Sequence, residues 1–259
     1  MFIYIIVMLV CFVASFFGAI CGIGGGVIIK PVLDSMGIMN VGTVSFLSGI
    51  TVLSMSAYSV NKAILSKDSS VKMKKGIPIS IGAVLGGMLG KYVFGLLSAC
   101  FADKEYIGSV QAMCLFVLTF GTFIYTIKKN SVHTLYVNNL AVCIMVGMFL
   151  GLFSSFLGIG GGPFNLVILS FLFSMETKEA AQTSLYIIMF SQIASLCFTI
   201  LSRQLPIFNI YVLIAMSCMG VLGGIIGRTV NRKIDSAVVD KLFMGMNVVI
   251  MGICIYNSF

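Results

Sequence analysis

The chain has 259 residues, 59% of them hydrophobic and only 9% charged, with a formal net charge of +8 and a mean hydropathy of +1.11. A water-facing surface needs roughly a quarter of its residues charged, so a soluble domain is excluded and lipid is the solvent. The lysines and arginines sit in short segments between apolar runs, as in helical membrane proteins, which argues against a nucleic-acid partner.

The first apolar run covers 2–22. It has no basic start, and its pattern recurs in mid-chain at Met148 to Gly158, so it reads as mature structure and not as a signal peptide. The run closes on Gly22-Ile23-Gly24-Gly25-Gly26 and is followed by apolar segments at 26–39, 41–61, 77–99 and 107–127. A basic loop, Lys128 to His133, then leads to a second series at 136–157, 162–175, 179–201, 207–229 and 238–257. Every segment is expected to be helical, because backbone groups in hydrocarbon must be bonded internally. The second segment of each series makes a helix of only about 20 Å, short of the ~30 Å hydrocarbon thickness, and reads as a half-helix.

The two series are copies of one pattern. Gly22 to Gly26 returns as Gly158-Ile159-Gly160-Gly161-Gly162, and Val84-Leu85-Gly86-Gly87-Met88-Leu89-Gly90-Lys91 returns as Val221-Leu222-Gly223-Gly224-Ile225-Ile226-Gly227-Arg228. The offsets are 136 and 137 residues, and a looser match pairs Gly121 and Tyr125 with Gly252 and Tyr256. Collinear matches of this kind place the repeats at 1–130 and 131–259. If both repeats pointed the same way, the 16 Lys and Arg residues would divide 8 against 8 between the membrane faces. If the glycine break turns the chain back, the loops 62–75, 128–133 and 228–241 join Lys178, and the division is 12 against 4 (Lys30, Lys91, Lys104, Arg203). The asymmetry favours an inverted repeat with the basic loops cytoplasmic and both termini outside. The expected fold is all-α: a polytopic membrane helix bundle of two inverted repeats, each with a glycine-broken helix hairpin.

A short apolar piece after a glycine break, at matching places in both halves, points to a transporter's binding site. Glycine lets the chain turn and bring backbone N–H groups to a ligand. A half-helix starting there adds unpaired amides and the positive end of its dipole, which together suit an anion. Pro163 fits the first helical position. Gly24, Gly25, Gly26, Gly160, Gly161 and Gly162 are therefore candidate substrate-binding residues, although glycines in membrane helices also serve close packing. Polar residues gather nearby: Ser48 and Thr51 with Ser45 in the first half, and Gln182, Thr183 and Ser184 in the second. Such groups bind an oxyanion without fixed charge or, alternatively, bond helix to helix. Asn165 falls in the first turn of the second half-helix, where it could cap that turn or face a ligand. Lys30 lies inside a short apolar segment; it could neutralise an anion, snorkel, or pair with Asp34 one turn on. The Gly86/Gly90 and Gly223/Gly227 pairs read as helix-packing faces.

The acidic residues, Asp34, Asp68, Asp103, Glu105, Glu176, Glu179, Asp235 and Asp240, all fall at or near loop edges, so no proton relay or metal-cation site is visible. The eight cysteines have no close pairing and the single histidine, His133, is far from the helix-borne carboxylates, so neither a disulfide framework nor a metal cofactor is expected. A small anion is the expected partner. Two rivals stay open: an intramembrane serine enzyme, which needs a base beside a nucleophile such as Ser48, and a membrane subunit without transport.

The duplicated Gly-Ile-Gly-Gly-Gly, Pro31, and the stretch Gln182-Thr183-Ser184-Leu185 resemble the TauE/SafE family of sulfite and organosulfonate exporters, along almost the whole chain. The resemblance implies a multi-pass protein of the cell membrane that moves a small sulfur oxyanion such as sulfite or a sulfonate, with no enzyme activity. It carries a binding role onto Gly24, Gly25, Gly26, Pro31, Gly160, Gly161, Gly162, Thr183 and Ser184. The sequence departs from the family pattern at Phe46-Leu47-Ser48-Gly49, where a threonine-serine pair is expected, and at Pro163, which replaces a later proline.

Overall fold

The computed structural model describes residues 2–65, 73–100 and 104–258. The loop charges Lys67, Asp68, Lys72 and Asp103 lie outside these residues. The described chain is helical, in the order α1 (Phe2–Cys21), α2 (Gly26–Ser35), α3 (Val41–Leu65), α4 (Met73–Cys100), α5 (Lys104–Lys128), α6 (Leu140–Phe156), α7 (Pro163–Phe173), α8 (Thr177–Leu201), α9 (Ile210–Lys233) and α10 (Ser236–Ser258). Seven of these are long and apolar enough to cross a membrane, while α6 and α7 are shorter apolar helices. The protein is a multi-pass integral membrane protein.

Helix boundaries follow local chemistry. Helix α2 stops at Ser35 and not at 39, because Met36 closes the last turn and Gly37 takes a left-handed φ of 61°. Helix α6 begins at Leu140 and not at 136: the preceding segment is extended, and the amides of Leu135 and Val137 bond the carbonyls of Phe171 and Leu172 at the end of α7. Asn139 then caps α6 by accepting from the Ala141 amide at 2.9 Å. Proline occupies the first position of α7, as its fixed φ predicts.

Lipid supplies no hydrophobic drive between helices, so association rests on close packing at small residues. Each half packs mainly on the other: α1 lies along α9, α4 along α6 and α8, and α3 along α9 and α8. A Cβ on Gly82, Gly86 or Gly90 would come within 2.0 to 2.3 Å of the carbonyl oxygen of Ile144, Met148 or Leu152. Those residues advance together, so α4 and α6 run side by side in the same chain direction. Gly223 and Gly227 meet the carbonyls of Phe12 and Phe16 in the same way, and α1 and α9 are also parallel. Gly220 and Gly224 meet Thr51 and Met55, which aligns α3 with α9. The glycine pairs singled out in the sequence are thus backbone-to-backbone contacts.

The ends of the bundle differ. At one, Lys129 of the α5–α6 link bonds both Thr177 at 2.7 Å and Asp240 at 2.9 Å, and Lys75 lies over the Phe173 ring at 5.5 Å. At the other, a cleft is lined by Tyr4, Asp34, Asn40, Gly108, Ile207 and Asn257, bringing both chain termini together. These are called below the basic face and the terminal face.

Candidate functional site

The helices are interrupted at both glycine runs. Gly22 and Gly24 have φ of 75° and 77°, and their counterparts Gly158 and Gly160 have 65° and 74°. A left-handed backbone at these four matched positions is open to glycine and strained for other residues. All of 22–26 and 158–162 is buried, and the two runs touch: a Cβ on Gly26 would lie 2.0 Å from the Ile159 carbonyl oxygen, and one on Gly161 would lie 3.1 Å from the Ile23 carbonyl oxygen. Val52 of α3 and Ile188 of α8, themselves 136 residues apart, wedge against Gly24, Gly160 and Gly161. Ile23 and Ile159 belong to one buried apolar cluster that joins the halves.

The amides at the breaks are sparsely used. Gly22 and Ile23 bond the Gly18 carbonyl, Gly158 bonds Ser155, and Asn165 bonds Gly162. Among the described residues, the amides of Gly24, Gly25, Gly160 and Gly161 make no backbone hydrogen bond. Neither Gly25 nor Gly162, the residues preceding α2 and α7, contributes a side chain to cap the new helix. Buried N–H groups are ordinarily paired, so this concentration at matched places is unusual.

The remaining candidates fall into distinct roles. Ser48 donates to the Gly158 carbonyl at 2.8 Å and thereby ties α3 to the second break. Thr51 donates to the Leu47 carbonyl within its own helix. Thr183 is fully buried and its hydroxyl has no partner among the described residues. Asn165, also fully buried, donates weakly to Ser184 Oγ at 3.4 Å, and its Oδ1 has no partner among the described residues. It does not cap α7. Lys30 is buried at 3% exposure and ion-paired with Asp34 at 2.5 Å, the local pairing that was one of its three sequence readings.

Two cavities flank the breaks. One, of about 300 Å³, reaches Ile64 and Arg232 near the ends of α3 and α9 and is lined by Ala19, Ser59, Ala181, Gln182, Arg228 and Asn231 among others. Ala181 packs on Gly22, so the cavity reaches the first break. The other holds only about 20 Å³ and includes Ser45, Gly49, Lys91, Ser155, Gly158 and Gln192. Lys91 was not among the binding candidates drawn from the sequence. The available signal was the second repeat block, which ends on a cation in both copies, Lys91 and Arg228.

Comparison with known proteins gives a consistent result. The chain matches the family model described as "Sulfite exporter TauE/SafE" over residues 7–254. It is 22% identical over 267 residues to a protein of Bacillus subtilis (strain 168) described as "Probable membrane transporter protein YunE", with 96% of each chain covered. No solved structure gives a significant match.

Proposed function

Since the chain belongs to the sulfite exporter TauE/SafE family, we propose that it is a secondary carrier for a small anion, sulfite, a sulfonate or a related sulfur oxyanion. The observation that carries this reading is the meeting of two buried glycine breaks, in which the Gly24, Gly25, Gly160 and Gly161 amides lack backbone acceptors, between cavities of about 300 Å³ and about 20 Å³. Backbone N–H groups, the Thr183 hydroxyl and the Asn165 amide would hold the anion; Gly24, Gly25, Gly26, Gly160, Gly161, Gly162, Gln182 and Ser184 form or adjoin that site. Ser48 and Thr51 shape it from behind, and Lys30, neutralised by Asp34, contributes field more than contact.

The topology that suits this function is an inverted repeat with its boundary near residue 130. On this topology α3 and α4, as successive long spans, would cross in opposite senses. Helix α1 shares the direction of α9, as does α3, and α6 shares that of α4. The first helices of the two halves, α1 and α6, therefore oppose one another. Alternate access then follows from one half rocking against the other around the fixed breaks. By the charge asymmetry the basic face would lie on the cytoplasmic side of the cell membrane.

The serine-enzyme rival is weakened by the same contacts. Ser48 spends its hydroxyl proton on a carbonyl, and His133 is exposed in the extended link between halves. A packed accessory subunit would not need a cavity of about 300 Å³ reaching the break. The test is flux: vesicles holding the pure protein should move labelled sulfite or a small sulfonate well above empty vesicles, and no movement of either overturns the proposal.

A further inference from the structure

The two cavities are related by the repeat. Ala19, Ser59, Ala181, Gln182 and Arg228 of the larger one answer to Ser155, Ser195, Ser45, Phe46 and Lys91 of the smaller one at offsets of 136 or 137 residues. They differ in size and in part of their lining. One has about 300 Å³ of room, and the other about 20 Å³, enough for roughly one water. At the smaller cavity, the Phe46 ring lies 5.0 Å from that of Phe208 in the α8–α9 link, and Thr43 holds that link by donating to the Ile207 carbonyl at 3.1 Å.

Each cavity carries one cation of the repeated glycine block, Lys91 or Arg228, and the larger one also holds Arg232. Gly90, the neighbour of Lys91, packs on Leu152 and Phe156 in the last turn of α6, just before the second break. Gly227, the neighbour of Arg228, packs on Phe16 and Ala19 in the last turn of α1, just before the first. Lys91 lies on a membrane-spanning helix, and among the described residues no carboxylate pairs with it; its ammonium stands over the Phe94 ring at 5.3 Å. A charge at such a place is costly unless something of opposite sign visits it. Around it stand Ser45, whose buried hydroxyl has no partner among the described residues, and Ser155, Gln192 and Ser195, a set suited to an oxyanion.

From this we infer that Lys91 and Arg228 are the receiving cations of two alternately open anion ports, the Arg228 port open to the basic face in this structure and the Lys91 port closed. The inference rests on the carrier reading above and adds a sidedness that the reading does not require. An anion entering from the basic face meets Arg228 and Gln182, passes to the break amides, and leaves past Lys91 after the Phe46–Phe208 contact parts.

Uptake of labelled sulfite and methanesulfonate into right-side-out and everted membrane vesicles from cells making the full chain tests this. Lys91→Gln should raise KM about tenfold or more for entry from the terminal face, the effect of losing one charge-assisted hydrogen bond, and leave entry from the basic face within about twofold. Arg228→Gln should do the reverse, and Lys91→Arg and Arg228→Lys should restore each within a few-fold. As a readout independent of flux, Ser59→Cys in the unsubstituted background should react with an impermeant thiol reagent from the basic face at least about tenfold faster than Ser195→Cys does from the other. If the wild type moves either anion while the neutral variants leave both KM values unchanged, or raise both faces equally, the ports are wrong and the carrier stands. Equal thiol rates likewise overturn the ports. If the wild type moves neither anion, the carrier reading itself falls and takes the ports with it.

Discussion

Asn231 of α9 donates its side-chain amide to the carbonyl of Ile20 in the last turn of α1, at 2.5 Å. Gln111 of α5 does the same for Phe156 in the last turn of α6, also at 2.5 Å. Ile20 and Phe156 are 136 residues apart, so matched helix ends are satisfied from unmatched helices. Each cap satisfies one carbonyl at a helix end that stops inside the bundle. Gln111→Ala should expose that need: leaving the buried carbonyl unpaired costs about 1–3 kcal/mol, seen as a fall in Tm of the detergent-solubilised protein. An unchanged Tm would mean that the carbonyl finds another donor.

Contact between the breaks predicts a sharp contrast among glycines. Gly26→Ala drives a Cβ into the Ile159 carbonyl, whereas Gly245→Ala and Gly252→Ala meet nothing within 4 Å. The first should destabilise by about 1–3 kcal/mol or more and abolish flux. The other two should be neutral or stabilise by up to about 1 kcal/mol, since alanine is the better helix former. Thermal unfolding and flux on the three variants check this together.

Thr183 separates binding from packing. A fully buried hydroxyl without a partner is a cost to the empty protein. Thr183→Val keeps the shape and removes the group, so Tm should hold or rise while the KM for anion rises several-fold. Equal KM values for the two proteins would take Thr183 out of the site.

Lys129, Thr177 and Asp240 join three segments on the basic face, but the ion pair is more than a quarter exposed on both sides. Asp240→Asn should therefore lower stability by no more than about 1 kcal/mol, read from Tm at low salt and diminishing at high salt.

Much of this arrangement could be read from the residues, and the reasons for the rest are local. The breaks at 22–26 and 158–162 were legible because glycine runs followed by short apolar pieces occur twice at one spacing. The ends of α2 and the start of α6 were not, because apolar content continues past Ser35 and before Leu140 while the backbone does not; Gly37 and the bonds from Leu135 and Val137 decide them. Lys30 drew attention as an intramembrane charge, yet Asp34 one turn away neutralises it. Lys91 attracted none, since it closes a glycine motif that reads as packing. Which face of α4 it shows to a cavity depends on where α6 and α8 lie, and no spacing within α4 records that.

The most direct test concerns the amides themselves. In protein labelled with ¹⁵N-glycine and reconstituted in lipid, titration with sulfite or methanesulfonate should shift the resonances of Gly24, Gly25, Gly160 and Gly161 along saturable curves, with Gly245 and Gly252 unmoved. Transport that proceeds with all four resonances unchanged would contradict the claim that the twin breaks hold the anion.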